Sequence, residues 1–130
     1  MHFVTLISLL AITQYMCFAA LAGRARSQYG VKAPATTGHP VFERFYRVQM
    51  NTLELLVAFL PALWLAAQYW PPLWMSAIGL VYLVGRTLYA LRYTRDPASR
   101  ALGFMLSMLP VAALLGAALV GVLRALFGMA

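Results

Sequence analysis

The sequence predicts an all-α integral membrane protein, a bundle of four transmembrane helices, and three observations lead there. Hydrophobic residues make up 63% of the chain and charged residues only 10%, with a mean hydropathy of +0.78, a balance foreign to a soluble domain. Apolar runs alternate with short polar segments, and about 20 such residues suffice to cross a hydrocarbon core about 30 Å thick. Nine of the ten basic residues, all but Arg124, gather in or near the first and third connections, the pattern of loops held on the cytoplasmic side. The expected spans are 3–22, 42–70, 73–94 and 98–126, within one membrane domain covering residues 1–130.

The first apolar run, Met1 to Leu21, ends at GRARSQYGVK. Its positive charges, Arg24 and Arg26, follow the apolar stretch where a signal peptide would carry them in front, so it reads as a retained span with its N-terminus outside. Cys17 is the single cysteine and has no partner for an internal disulfide; inside this run it is expected to be a small buried hydrophobe. The segment SQYGVKAPATTGHP is a loop rich in Gly, Pro and Thr, and His39 reads as part of it.

The second span organises the rest. In FERFYRVQMNTLELLVAFLPALWLAAQYW, the polar residues Glu43, Arg44, Arg47, Gln49, Asn51 and Glu54 lead without a turn into the oily run Leu55 to Trp70. As one helix it would measure roughly 43 Å, longer than the hydrocarbon core, so its polar half must lie at one membrane face. Arg47, Asn51 and Glu54 fall within an arc of about 60°, while Gln49 points about 200° away from Arg47. Polar groups at membrane depth cost several kcal/mol unless partnered, which makes this ladder a functional candidate. Pro61 removes a backbone donor and is expected to kink the span, and Trp64, Tyr69 and Trp70 form an aromatic belt at its far end.

Pro71 and Pro72 force a tight hairpin. The third span then ends in Arg86, Tyr89, Arg92, Tyr93 and Arg95. Arg86, Tyr89 and Tyr93 share one face, whereas Arg92 and Arg95 read as cations at headgroup level. Asp96 is expected to cap the fourth span with Pro97 as its first residue, placing Arg100 one turn in. Pro110 should break that helix, and Ala113, Ala117 and Gly121 would give it a stripe for close helix contact. Both termini fall on the side opposite the polar helix ends.

The net charge of +7 is explained by topology and not by nucleic acid. No metal site is expected, since His2 and His39 lie far apart and no His or Cys cluster exists. There is no glycine-rich phosphate loop and no defensible protein nucleophile. An excess of arginine with one carboxylate, Glu54, suits a small anionic ligand that also carries a cationic group.

The stretches TTGHPVFERFYRVQMNTLE and LVYLVGRTLYALRYTRDPASR resemble the MAPEG family, the membrane-associated proteins of eicosanoid and glutathione metabolism, and in particular its glutathione-transferase members. The likeness covers most of Arg24 to Arg100 and rests on the Arg-x-x-x-Asn-x-x-Glu core opening a membrane helix, with Arg, Tyr, Tyr and Arg downstream. It implies a homotrimer that binds glutathione as co-substrate between subunits, near the cytosolic face of an endoplasmic reticulum or bacterial inner membrane. By position, Arg26, Arg47, Gln49, Asn51, Glu54, Tyr89 and Tyr93 would hold glutathione, with Gln49 reaching in from the adjacent subunit. Arg100 would be catalytic, holding the sulfur as thiolate for attack on a hydrophobic electrophile from the lipid; reduction of lipid hydroperoxides is a further activity of the same sulfur.

Two departures stand out. Leu55 and Ser27 replace a tyrosine and an arginine of the leukotriene-forming members, which points to a broader transferase. Two other classes compete with this expectation. A non-catalytic, lipid- or partner-binding member of the fold would not need the Arg100 set, and a four-span proton-coupled exporter would want its carboxylate away from a permanent cation such as Arg47.

Overall fold

The computed structural model describes residues 1–129 and contains four long α-helices: α1 (His2–Gln28), α2 (Pro40–Tyr69), α3 (Pro72–Arg95) and α4 (Ala101–Leu126). A single 3₁₀ turn, Pro97–Ser99, separates the last two. Each helix is long and apolar enough to cross a membrane, and the protein is an integral membrane four-helix bundle. Its antiparallel course gathers the C-terminal ends of α1 and α3 with the N-terminal ends of α2 and α4. That end carries nearly all the arginines.

α1 runs on past the expected end, through Gly23 in helical conformation, and stops just before Gly30, which adopts φ 68°. It buries Val4, Ile7, Ala11, Phe18, Ala22 and Ala25, a stripe at three- and four-residue spacing, and leaves the rest of its surface outward. Cys17 lies on that outward surface, contrary to expectation; an all-round apolar sequence does not reveal which face is covered.

α2 begins with a cap that the sequence concealed. His39, expected to be mere loop, accepts a hydrogen bond from Val41 N through Nδ1 (3.2 Å) and stacks on Tyr29 with ring centroids 4.1 Å apart. Pro40 follows at the first helical position, where its missing N–H costs nothing. The helix is continuous through Pro61, as α4 is through Pro110, so neither proline ends its span. Pro71 and Pro72 make the tight turn into α3.

Asp96 caps the short 3₁₀ turn, accepting from Ala98 N at 3.1 Å, and not α4, which starts four residues later than Pro97. Arg100 therefore stands at the N-terminal boundary of α4. The most extensive helix contact is between α3 and α4, and glycine makes it possible. A Cβ on Gly85 would strike the Leu106 and Ser107 backbone, and one on Gly103 would strike the backbone of Tyr89. Of the expected stripe, Gly121 packs on Tyr69, but Ala113 is exposed.

The core is apolar over most of its length, with Phe59 stacked on Tyr82 (3.8 Å) among Val4, Leu63 and Leu114. Polar ties cross it where side chains need partners. Gln14 Nε2 donates to Leu83 O and Thr87 Oγ1, both at 3.0 Å, joining α1 to α3. Trp64 Nε1 donates to Ser8 Oγ (2.8 Å) and Trp70 Nε1 to Ala117 O (2.7 Å), so these two tryptophans reach inward as well as marking a belt.

Candidate active site at the arginine-rich end

Arg47 and Asn51 on α2, Tyr89 and Tyr93 on α3, and Arg100 and Phe104 at the start of α4 line one cleft of about 370 Å³. This lies at the lower end of the roughly 300–1,000 Å³ usual for small-molecule sites. Five of the eight residues singled out from the sequence thus share one cavity within a single chain. Helical spacing brings each pair together: Arg47 and Asn51, like Tyr89 and Tyr93, are four residues apart and stand one turn above the other. The Gly103 contact with Tyr89 then draws the start of α4 against α3 and sets Arg100 and Phe104 beside the two tyrosines.

The electrostatics are lopsided. Arg47 Nη1 lies 3.6 Å from Glu54 Oε1, the one ion pair among the described residues, and the two side chains are 51% and 56% exposed. An exposed pair at that distance contributes little, of order 0–1 kcal/mol, and leaves both groups free to exchange partners. Asn51 is only 9% exposed and its buried Oδ1 has no hydrogen-bond partner. The tyrosine rings stack at 5.4 Å and form an aromatic wall. The cavity is therefore cationic, with one unused acceptor in Asn51 Oδ1, and suited to a small anion that also carries a hydrogen-bond donor.

Three expected residues stand apart from the cleft. Glu54 reaches it only through Arg47. Gln49 is half-buried on another face of α2 and does not line the cavity. Arg26 is engaged by the first loop: Nη1 donates to Ala35 O (2.7 Å) and Val31 O (3.4 Å), and its guanidinium carbon lies 4.6 Å from the Phe42 ring centroid.

One residue was undervalued. Arg86 is the largest fully buried side chain, 0% exposed, directly behind Tyr89. The sequence signal was its shared face with Tyr89 and Tyr93. The run of arginines that follows it left its own role open.

Comparison with known proteins agrees with this architecture. The chain is 47% identical to an uncharacterized protein of Synechocystis over 118 residues, covering 91% of this chain and 86% of that one. It is 41% identical to human microsomal glutathione S-transferase 2 over 113 residues (85% and 77% covered). It is 36% identical to guinea pig (Cavia porcellus) leukotriene C4 synthase over 138 aligned positions (92% and 91% covered). The profile of the MAPEG family matches residues 4–120, and with four membrane-length helices matched almost end to end, the chain belongs to that family.

Proposed function

We propose that this protein is a membrane-bound, glutathione-dependent transferase that joins the glutathione sulfur to hydrophobic electrophiles. The observation that carries the reading is the cationic cleft formed by Arg47, Asn51, Tyr89, Tyr93 and Arg100 at one end of an otherwise apolar bundle. Relatives whose names specify a glutathione S-transferase and a leukotriene C4 synthase support the choice of ligand.

Each residue has a distinct task. Arg47 and Asn51 engage the carboxylate and amide groups of the tripeptide, and Glu54, released from Arg47, takes its ammonium. Tyr89 and Tyr93 wall the cleft and donate hydroxyl hydrogen bonds. Arg100, at the N-terminal boundary of α4, faces the sulfur with both its own charge and the positive end of the helix dipole. A thiol of pKa about 8.5 is mostly protonated at neutral pH, and cations of this kind bring thiols into the range of roughly 3.5 to 7.5. The released proton passes to water at the mouth of the cleft. The thiolate then forms a carbon–sulfur bond while a leaving group departs with its electron pair, or while a strained C–O bond opens and the oxygen takes a proton from water.

Gln49, on the other face of α2, serves a neighbouring copy in a homotrimer, with the cleft toward the cytosol. Arg26 belongs to the site only if it releases Ala35, so it is the weakest of the assigned contacts.

Titrating the detergent-solubilised protein with glutathione tests the reading. The expected result is saturable thiolate absorbance near 240 nm at neutral pH (an approximate wavelength for any thiolate), with glutathione-dependent conjugation of an apolar aryl halide. Saturable binding without absorbance or turnover would make the protein a non-catalytic binder instead.

A further inference from the structure

Arg86 poses a problem that packing does not solve. Its Nη2 donates to Thr52 Oγ1 (3.0 Å), which in turn donates to Val48 O (2.7 Å). Its Nε and Nη1 are buried with no hydrogen-bond partner. No carboxylate answers its charge among the described residues: Glu54 faces Arg47, Glu43 accepts from Gly38 N, and Asp96 accepts from Ala98 N. A buried charge left without a counter-charge is strongly destabilising, and Arg86 stands in that unmatched state. A methionine would fill the same space without the penalty.

What the guanidinium does touch is Tyr89, its carbon lying 4.2 Å from the ring centroid. Tyr89 lines the cleft, braced by Tyr93 and Phe104. A cation against the face of a phenol is attracted by the ring's π electrons. It draws that density toward itself, so the O–H becomes a better donor.

We propose that Arg86 is a positioning residue that fixes Tyr89 in the cleft wall and strengthens its hydroxyl as a donor to the anion bound there. The bound anion's negative charge supplies the counter-charge that Arg86 lacks within the chain. The inference rests on the glutathione reading and extends it by one residue that touches no ligand.

The test follows thiolate absorbance of bound glutathione against pH in the full-length parent, in Arg86→Gln, and in both backgrounds carrying Tyr89→Phe. Arg86→Gln is expected to raise the pH midpoint of thiolate formation by about one unit. It should lower kcat at neutral pH about two- to fivefold, with recovery at higher pH, because a midpoint that moves from about 6–7 to about 7–8 leaves roughly a tenth to a half of the sulfur ionised. Affinity for S-methylglutathione, which has no ionisable thiol, should stay within about threefold. In the Tyr89→Phe background the added shift should shrink below about 0.3 unit, since the path through the hydroxyl is gone. An unmoved midpoint, or equal shifts in both backgrounds, overturns the proposal. Should Arg86→Gln fail to fold, Thr52→Val decides: it removes the one hydrogen bond to Arg86, and a midpoint identical to the parent's overturns the inference. A parent with no thiolate band removes the glutathione reading and this inference together, whereas a band that ignores the Arg86 and Thr52 variants removes the inference alone.

Discussion

The two ends of the bundle look alike at first and differ where it matters. Each has a cleft with an arginine beside aromatic rings: about 370 Å³ around Arg47, Arg100, Tyr89 and Tyr93, and about 320 Å³ around Arg124, Tyr69 and Trp70. Among the described residues lining the far cleft, no buried polar atom lacks a partner. Trp70 donates to Ala117 O, Ser76 to Pro72 O, and Arg124 rests 5.4 Å from the Trp70 ring centroid. At the arginine-rich end, Asn51 Oδ1 and two nitrogens of Arg86 remain unpartnered. The two clefts are thus close in size and differ in that the wall of the arginine-rich one holds a buried polar atom without a partner.

The comparison breaks most visibly at Arg100. Arg100→Ala is expected to cut turnover about 10²- to 10³-fold, as loss of a group stabilising developing or bound negative charge does, while glutathione affinity falls less than about tenfold. Steady-state kinetics beside equilibrium binding would show the split, and parental turnover would void the assignment. Arg47→Ala should instead weaken binding, by about 10- to 100-fold, because a charged hydrogen bond is worth about 1.5–3 kcal/mol. Calorimetric titration distinguishes the two variants.

Gly103→Ala probes the device that assembles the cleft. Its methyl has to displace the Tyr89 backbone, and overpacking of this kind costs about 1–3 kcal/mol. A lower thermal midpoint together with weaker glutathione binding is expected; a lower midpoint with parental affinity would mean that the α3–α4 approach does not shape the site. The smallest effect belongs to the far end. Trp70→Phe loses one hydrogen bond, about 1 kcal/mol of stability, and should leave glutathione binding within about twofold. A marked loss of affinity there would dissolve the contrast between the ends.

Much of this was legible because membranes impose simple rules. Length and apolarity give four spans, Pro71 and Pro72 give a hairpin, and a period of 3.6 puts Arg47 over Asn51 and Tyr89 over Tyr93. The convergence of α2, α3 and α4 on one cleft was implied only by the MAPEG resemblance, since periodicity says nothing about which helices meet. Arg86 was placed on the face of Tyr89 and Tyr93 but given no role, because charge near a span's end ordinarily means headgroups; its burial depends on α4 closing over α3, which Gly85 and Gly103 permit. Cys17 was misplaced for the opposite reason, as α1 is apolar on every side. The caps at His39 and Asp96 depend on local backbone geometry, where a change of one or two residues turns a helix start into a 3₁₀ turn.

The inward-reaching tryptophans carry a practical consequence. Trp64 and Trp70 have their indole nitrogens engaged across helix contacts, while Trp74 is 67% exposed. All three belong to the half of the bundle remote from the cleft. Intrinsic fluorescence therefore acts as an optical gauge of bundle integrity, shifting as the indoles lose their inward partners on unfolding and staying quiet when the opposite end is occupied. Loss of structure and loss of ligand can thus be followed separately in one cuvette.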